Sequence, residues 1–196
     1  MIKKYLIALF IILVVSHTLN AQMPMQFVQT TLGYSYQSVK QNDKKDSFLL
    51  ANELGKSGYN FDIGLGYGLG KNMDLVLRYQ RIFQDEVDLN NFYLQGQYKH
   101  VLNKEFIPFL GFNFGRSQLK WSKKPINTLE NDYRSSSWLV GLSVGFLNPV
   151  SKNMSIVGEY LFNAINHKTL LESATEKSEL NHSYTHSFNF GLRVLF

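Results

Sequence analysis

From residue 27 onward, apolar and polar residues alternate along the chain with a period of two. In the clearest stretch, Gly or a polar residue separates each of the apolar residues Tyr59, Phe61, Ile63, Leu65, Tyr67 and Leu69. Successive side chains of a β-strand point to opposite faces, so this pattern predicts a strand with differently solvated faces. Seven further segments alternate in the same way, beginning near Val28, Met73, Phe92, Phe106, Trp138, Met154 and Tyr184. The pattern therefore predicts eight strands of about ten residues each, the length that crosses a bilayer at a tilt.

The segments between these strands alternate in length. Three are short and contain turn residues such as Gly and Asn: Leu69 to Met73, Leu102 to Glu105, and Leu147 to Asn153. The others are mostly long and polar: Ser38 to Ser57, Gln84 to Asn90, Ser117 to Ser136, and Ile165 to His182. Short periplasmic turns at one end and longer extracellular loops at the other are typical of a barrel in the bacterial outer membrane.

The two faces of the strands differ in a way that favours lipid on one side. The polar face is rich in Gly, Ser, Asn and Gln, which fit a narrow interior, and the other face is crowded with aromatic rings. Rings also cluster near both strand ends, as in the girdles of membrane barrels. We predict an all-β fold, an eight-stranded antiparallel up-and-down transmembrane β-barrel. A soluble lipocalin-like barrel is the alternative.

Composition supports a folded chain and removes several kinds of chemistry. The 196 residues include 15 Phe, 11 Tyr and no Cys, which excludes disulfides, thiol nucleophiles and Cys-based metal sites. Mean hydropathy is −0.16, which does not exclude a membrane barrel, because only alternate strand residues meet lipid. The formal charge of +5 is spread along the chain and gives no reason to expect nucleic-acid binding.

The first 21 residues have the order of a secretory signal peptide. Two lysines precede an apolar run from Tyr5 to Val15, and small or polar residues follow up to Ala21. The run is shorter than the roughly 20 residues of a transmembrane helix. We predict cleavage after Ala21, which divides the chain into a signal peptide, 1–21, and a barrel domain, 22–196, that is exported to the outer membrane.

The final strand, Asn189-Phe190-Gly191-Leu192-Arg193-Val194-Leu195-Phe196, resembles the C-terminal assembly signal of outer-membrane proteins. With the strand count and the leader, the chain resembles the small outer-membrane β-barrel family of OmpA, OmpX and opacity-type proteins. The resemblance implies a monomeric barrel inserted by the barrel assembly machinery, with a signal formed by Asn189, Gly191, Leu192, Val194 and Phe196. Family members serve as adhesins, structural anchors or narrow pores. No peptidoglycan-binding domain is expected after the last strand.

Six charged residues share the predicted inward face: Asp62, Asp74, Arg78, Lys99, Glu159 and Arg193. An isolated charge is costly to desolvate, so these residues are expected to pair. The first interpretation is a structural network that fills the lumen. The second is a gate, in which Glu159 exchanges partners between Arg78 and Arg193.

Candidate catalytic residues near the last loop do not match a known pattern. His182, Ser183, His186 and Ser187 suggest a hydrolase, but no His and Ser lie two positions apart on one strand face, as the lipid A deacylase resemblance would require. Loop residues Glu172, Glu176 and Glu179 could supply a third group. We predict no catalysis, no cofactor and no metal site.

Cations near the predicted outer end indicate possible partners. Arg81 falls on the lipid face and is expected to reach toward lipopolysaccharide phosphates. The third long loop contains Lys120, Lys123, Lys124 and Arg134 with Trp121 and Tyr133, which could bind an anionic glycan or a host surface. A structural or adhesin-like role is the first hypothesis, a narrow pore the second, and a lipid A-modifying enzyme the third. The expected partners are outer-membrane lipid, lipopolysaccharide and an extracellular ligand at the loops.

Overall fold

A computed structural model describes residues 25–42, 56–101, 105–122, 134–172 and 177–196. Its strands are β1 (Gln26–Asn42), β2 (Ser57–Gly68), β3 (Met73–Phe83), β4 (Val87–Lys99), β5 (Ile107–Trp121), β6 (Arg134–Pro149), β7 (Met154–Glu172) and β8 (Lys177–Leu195). In these ranges no helix has the length and apolar character needed to cross a membrane. The predicted signal peptide, 1–21, lies outside the described residues, so its cleavage stays a prediction.

The eight strands form one closed barrel. Each strand pairs antiparallel with the next along the chain, and β8 pairs back with β1. Gly33, for example, lies opposite Asn60 on one side and Asn189 on the other. Closure gives every strand two neighbours. The pairing of β6 with β7 spans Val140 to Pro149, so the first residues of β6, at the loop end, have no strand partner on β7. The predicted up-and-down transmembrane architecture is confirmed.

The two ends of the barrel differ in their connections. At the turn end, which carries the β2–β3, β4–β5 and β6–β7 connections, Leu69 N donates to Met73 O over 2.8 Å. Gly70 in this turn has a φ of 127°, a conformation that favours glycine. At the loop end, the β3–β4 connection is also a tight turn, closed by Gln84 N donating to Val87 O over 3.1 Å. The connection predicted from Gln84 to Asn90 is therefore shorter than expected, because β4 begins at Val87.

The outward face carries a continuous apolar belt. Its large side chains are exposed, including Leu32 at 66%, Leu142 at 60% and Phe188 at 67%. Such extensive apolar exposure around a barrel is stable only when lipid surrounds it. The belt is what the alternating pattern of the sequence predicts.

The interior changes character toward the loop end. There the inward side chains are apolar and buried in one cluster: Val39, Ile82, Val87, Leu89, Tyr93, Leu119, Trp121, Leu139, Ile165 and Leu180. Outward neighbours such as Gln118 and Lys120 are exposed. The expectation of a small, polar interior throughout is thus wrong at this end. The reason is that the strands, at 11 to 19 residues, continue past the lipid, where water lies outside and apolar side chains point inward.

A β-bulge in β8 decides which residues of that strand face the lumen. Inward side chains stand at odd positions from Thr185 to Arg193, but at even positions at His182 and Leu180. The pairing of β8 with β1 and with β7 shifts between these two stretches, and Ser183 is the unpaired extra residue. A bulge inserts one residue and so reverses the alternation beyond it.

Candidate functional site: the charged lumen

Arg78 on β3 lies at the centre of a buried ion cluster. Its Nε and Nη2 donate to Asp62 Oδ1 over 2.9 and 2.7 Å, and its Nη1 donates to Glu159 Oε2 over 2.6 Å. The side chains of all three residues have no solvent exposure. Asp62 is on neighbouring β2, whereas Glu159 reaches across the lumen from β7. One guanidinium therefore joins two sides of the barrel wall.

Neutral side chains complete the hydrogen bonding of this Arg78 cluster. The Tyr93 hydroxyl donates to Asp62 Oδ2 over 3.1 Å, and Arg78 Nη1 donates to Gln95 Oε1 over 2.8 Å. Gln95 Nε2 in turn donates to Glu159 Oε1 over 2.7 Å. Buried charges are tolerated when pairing and hydrogen bonds replace water in this way.

A second ion cluster lies nearer the turn end, around Asp74. Arg193 Nη1 is 2.7 Å from Asp74 Oδ2, and Lys99 Nζ is 2.6 Å from Asp74 Oδ1. Arg193 Nη2 also donates to Gln29 Oε1 over 2.8 Å and to Gln97 Oε1 over 2.6 Å. The ring of Phe27 lies under the guanidinium, 3.9 Å from its central carbon. The Asp74 cluster therefore closes the lumen above the turns.

The two clusters are connected and balance each other in charge. Gln97 Nε2 donates to Gln95 Oε1 over 2.8 Å, which links the Asp74 cluster to the Arg78 cluster. The first cluster has one cation and two carboxylates, and the second has two cations and one carboxylate, so the six charges sum to zero. A neutral network can be buried without a counterion.

Apolar side chains pack against the network at two levels of the barrel. The loop-end cluster lies above it, and Phe109, Leu147 and Val157 pack together toward the turn end. Glycine provides the room for Arg78: a Cβ on Gly64, its partner on β2, would lie 3.3 Å from Arg78 Cγ and 2.9 Å from Val76. The inward glycines of the sequence thus make space for large lumen side chains.

All six charged residues predicted for the lumen lie there, and the structure brings them together as two clusters. Glu159 pairs with Arg78, while Arg193 pairs with Asp74. Sequence reasoning did not identify Tyr93 and the partner role of Gln95. Tyr93 stands at an inward position among polar residues of β4, and this break in the alternation is the signal that could have revealed it.

The candidate catalytic residues near the last loop do not come together. The His186 ring faces outward, with Nδ1 2.6 Å from the Tyr160 hydroxyl, whereas Ser187 Oγ faces inward, 2.7 Å from Ser35 Oγ. His182 is buried beside Trp121. In the described part of the chain, no group of three or more His, Cys, Asp or Glu residues could hold a metal ion. The non-catalytic role stays a prediction.

One buried histidine that the sequence did not single out does contact serines. His167 Nε2 is 2.9 Å from Ser117 Oγ, and its Nδ1 is 3.2 Å from Ser135 Oγ. Both His167 and Ser117 have no solvent exposure. A nucleophile needs access to its substrate, so the contacts satisfy the ring nitrogens of a core histidine.

The structure also gives the positions of the outer cations and of the last strand. Lys120 and Arg134, predicted for a loop, instead lie on β5 and β6 and face outward. Arg81 is 43% exposed and pairs with Asp88 over 3.0 Å. On β8, Asn189 and Gly191 face inward, while Leu192, Val194 and, just after the strand, Phe196 are exposed on the lipid side. The role of these five residues in assembly stays a prediction.

A closed eight-stranded barrel with an outward apolar belt and a charge-paired lumen defines a small transmembrane barrel of the outer-membrane type. The model of the outer membrane protein beta-barrel domain matches residues 6–196, so the chain belongs to that family. The predicted relationship to small outer-membrane barrels is confirmed.

Solved structures share this fold over most of their length. Neisserial surface protein A (NspA) has a TM-score of 0.63 at 16% identity, with 87% of this chain and 97% of that chain covered. OprG from Pseudomonas aeruginosa has a TM-score of 0.63 at 12% identity, with 88% and 97% covered. AlkL, an outer membrane protein solved in lipid bilayers, has a TM-score of 0.52 at 11% identity, with 86% and 90% covered. Among curated proteins, no sequence matches the chain significantly.

Proposed function

We propose that the protein is a non-catalytic surface protein of the outer membrane, in which the barrel anchors a contact surface at the loop end. The observation that supports this role is the filled lumen. Paired charges fill it from its middle to the turn end, and an apolar cluster fills it at the loop end. An eight-stranded barrel has room only for side chains. A ligand would therefore meet the outside of the molecule.

The loop end is the surface proposed for an extracellular ligand. The segment 123–133, which lies outside the described residues, contains Lys123, Lys124 and Tyr133. Lysines and an aromatic residue in one segment can contact an anionic glycan or an acidic host surface, while Glu130 and Asp132 in the same segment balance the two lysine charges. NspA, which shares the fold, is named a surface protein.

The experiment that tests this role measures adhesion of cells that express the full chain. One variant replaces residues 123–133 with a Gly-Ser linker of equal length, and the control replaces Lys71 and Asn72 at the turn end with Gly-Ser. Adhesion to host cells or matrix-coated plates should fall several-fold with the loop variant and stay unchanged with the control. Equal adhesion of all three strains, with the barrel present in each outer membrane, would contradict an adhesive role.

The proposal includes two further features of a membrane barrel. The C-terminal strand β8 would present the assembly signal to the barrel assembly machinery, since Leu192, Val194 and Phe196 all face the lipid side. The barrel would act as a monomer, because through the apolar belt closure pairs every strand with two neighbours and leaves no strand to pair with a second copy.

A narrow gated pore is the second candidate, and one observation favours it. Polar contacts continue without a break from Arg193 through Gln97 and Gln95 to Arg78. Water could enter along this line if the ion pairs separated. Glu159 contacts the end of the line through Arg78, so its carboxylate would act as the gate.

Planar bilayer recordings separate the two candidates. A surface protein should show no unitary conductance, either as the wild type or as Glu159→Gln. A gated pore should show openings that become more frequent with Glu159→Gln, because the neutral side chain holds Arg78 less strongly. Asn113→Gln, which changes an uncharged lumen residue, is the control.

A further inference from the structure

Three outward cations form a patch on the wall of β5 and β6 near the loop end. Arg116, Lys120 and Arg134 are all exposed, and Lys120 lies directly opposite Arg134 in the strand pairing. No carboxylate of the described residues lies within 4.0 Å of these three cations, whereas Arg81 and Lys168 on the same outer surface are paired. The cationic patch, as we call these three residues, therefore has no paired carboxylate in the part of the chain that the structure describes.

The strand register sets Lys120 opposite Arg134, and the repulsion between the two cations lowers the stability of the barrel until a ligand removes it. Like charges directly opposite each other on neighbouring strands destabilise a sheet. Asp88 lies opposite Lys120 on the other side, but its Oδ2 is 3.0 Å from Arg81 Nη2. An anion held between the two cations would turn repulsion into attraction.

The patch lies at the border of the apolar belt. Arg116 stands opposite Trp138, and its guanidinium carbon is 4.8 Å from the centre of the indole ring. On the same face, toward the turn end, Phe114 and Val140 are exposed to lipid. Tryptophan marks the interface of a bilayer, so the cations stand at the level of the lipid headgroups.

We propose that the cationic patch binds the phosphate groups of a phosphorylated glycolipid of the outer leaflet, such as lipid A. A headgroup between Lys120 and Arg134 would place its acyl chains along Phe114 and Trp138. The cationic patch directly adjoins the lipid-facing belt. This arrangement favours a membrane lipid over a free polyanion, because a free polyanion would need no apolar surface beside the cations. Basic residues at a membrane surface recognise anionic lipids in this way.

The test compares binding of the purified full chain to bisphosphorylated lipid A and to dephosphorylated lipid A in detergent micelles. The variants are Lys120→Gln with Arg134→Gln and, as a control of equal charge, Lys71→Gln with Lys152→Gln at the turn end. The wild type and the control should prefer the phosphorylated lipid. The patch variant should lose about ten- to thirty-fold in affinity for it.

A second measurement covers the stability of the same variants in vesicles. In DMPC alone, the patch variant should be at least as stable as the wild type, because the repulsion between the two cations is gone. In vesicles that also contain bisphosphorylated lipid A, the wild type should be the more stable protein. This reversal between the two lipids is the result expected of a phosphate site.

Three outcomes would overturn the proposal. The wild type could bind both forms of lipid A equally, or the control variant could lose as much affinity as the patch variant. Alternatively, inorganic phosphate or a sulfated oligosaccharide could compete fully with lipid A, which would assign the patch to a free polyanion. None of these results bears on adhesion through residues 123–133, so the two proposals fail separately.

Discussion

Arg78 shows how a single side chain can connect distant parts of this barrel. Its guanidinium contacts Asp62 on the adjacent strand and Glu159, which is 81 positions away in the chain. A buried ion cluster of this kind adds little stability compared with an apolar core, but it is costly to break, because the remaining charges stay buried without a partner. The network therefore fixes the arrangement of the wall more than it strengthens it.

Replacing Arg78 with Leu should destabilise the barrel by about 3–5 kcal/mol, since Asp62 and Glu159 would remain buried and repel each other. Arg81→Leu is the matched control, because Arg81 is 43% exposed and its pair with Asp88 is worth about 1 kcal/mol or less. Urea unfolding in detergent, followed by tryptophan fluorescence, measures both. Equal losses for the two variants would show that the Arg78 cluster does not hold the lumen together.

Strand β5 passes through two different surroundings along its length. Toward the turn end, Leu110, Phe112 and Phe114 point outward into lipid, while Gly111 and Asn113 point inward. Beyond Arg116 the arrangement reverses, with Leu119 and Trp121 inside. The apolar residues of β5 point outward where lipid surrounds the barrel and inward where water surrounds it. The change from lipid to water occurs at Arg116.

The reversal predicts where on β5 a new charge is tolerated. Phe112→Arg puts a cation into the apolar belt and should destabilise the barrel by about 2–4 kcal/mol. Gln118→Arg puts the same side chain on the same face beyond the belt, where only repulsion from Arg116 and Lys120 opposes it and the cost should be about 1 kcal/mol or less. Unfolding in lipid vesicles measures both, and a large loss for Gln118→Arg would move the membrane boundary toward the loop end.

The inward apolar cluster at the loop end predicts a contrast between two leucines of β5. Leu119 is 1% exposed, so Leu119→Ala should cost about 2–5 kcal/mol by leaving a cavity. Leu110 is 64% exposed on the lipid side, and lipid chains can fill the space that Leu110→Ala leaves. Denaturant midpoints in vesicles compare the two. Similar losses would mean that the loop-end cluster is not a packed core.

The barrel as a whole depends on the pairing of its first and last strands. β1 and β8 pair from Phe27 opposite Leu195 to Asn42 opposite Glu179, which closes the cylinder. Inside this wall the six lumen charges sum to zero, and on its outside the apolar belt contacts lipid instead of water. Closure makes the structure cooperative, because opening any one seam exposes unpaired backbone groups to lipid.

A closed barrel should resist SDS until it is heated. Outer-membrane extracts run on SDS gels should therefore give a faster band for the unboiled protein than for the boiled protein, because the intact cylinder stays compact. Cell fractionation provides the control for location. A protein found in the periplasmic fraction with no shift on boiling would instead point to a lipocalin-like carrier.

Local alternation was enough to predict the eight strands, the lipid-facing belt and the six inward charges, because the face of a strand residue depends only on its position in a period of two. Asp62, Arg78 and Glu159 are assigned to the lumen by this rule alone. The same rule could not place His182 correctly, since the bulge at Ser183 adds one residue to the count. The rule also missed the apolar lumen at the loop end. There the period of two continues, but the apolar residues, such as Leu119, point inward instead of outward.

The partners of the lumen charges emerged only in the folded barrel. The sequence places two arginines, Arg78 and Arg193, on the same inward face as Glu159. The strand register in the barrel brings the Glu159 carboxylate to Arg78 and brings Arg193 to Asp74. Register depends on how every strand pairs with its neighbours, so no single segment contains it. The juxtaposition of Lys120 and Arg134 has the same origin: two residues 14 positions apart become opposite neighbours because β5 and β6 pair in one particular alignment.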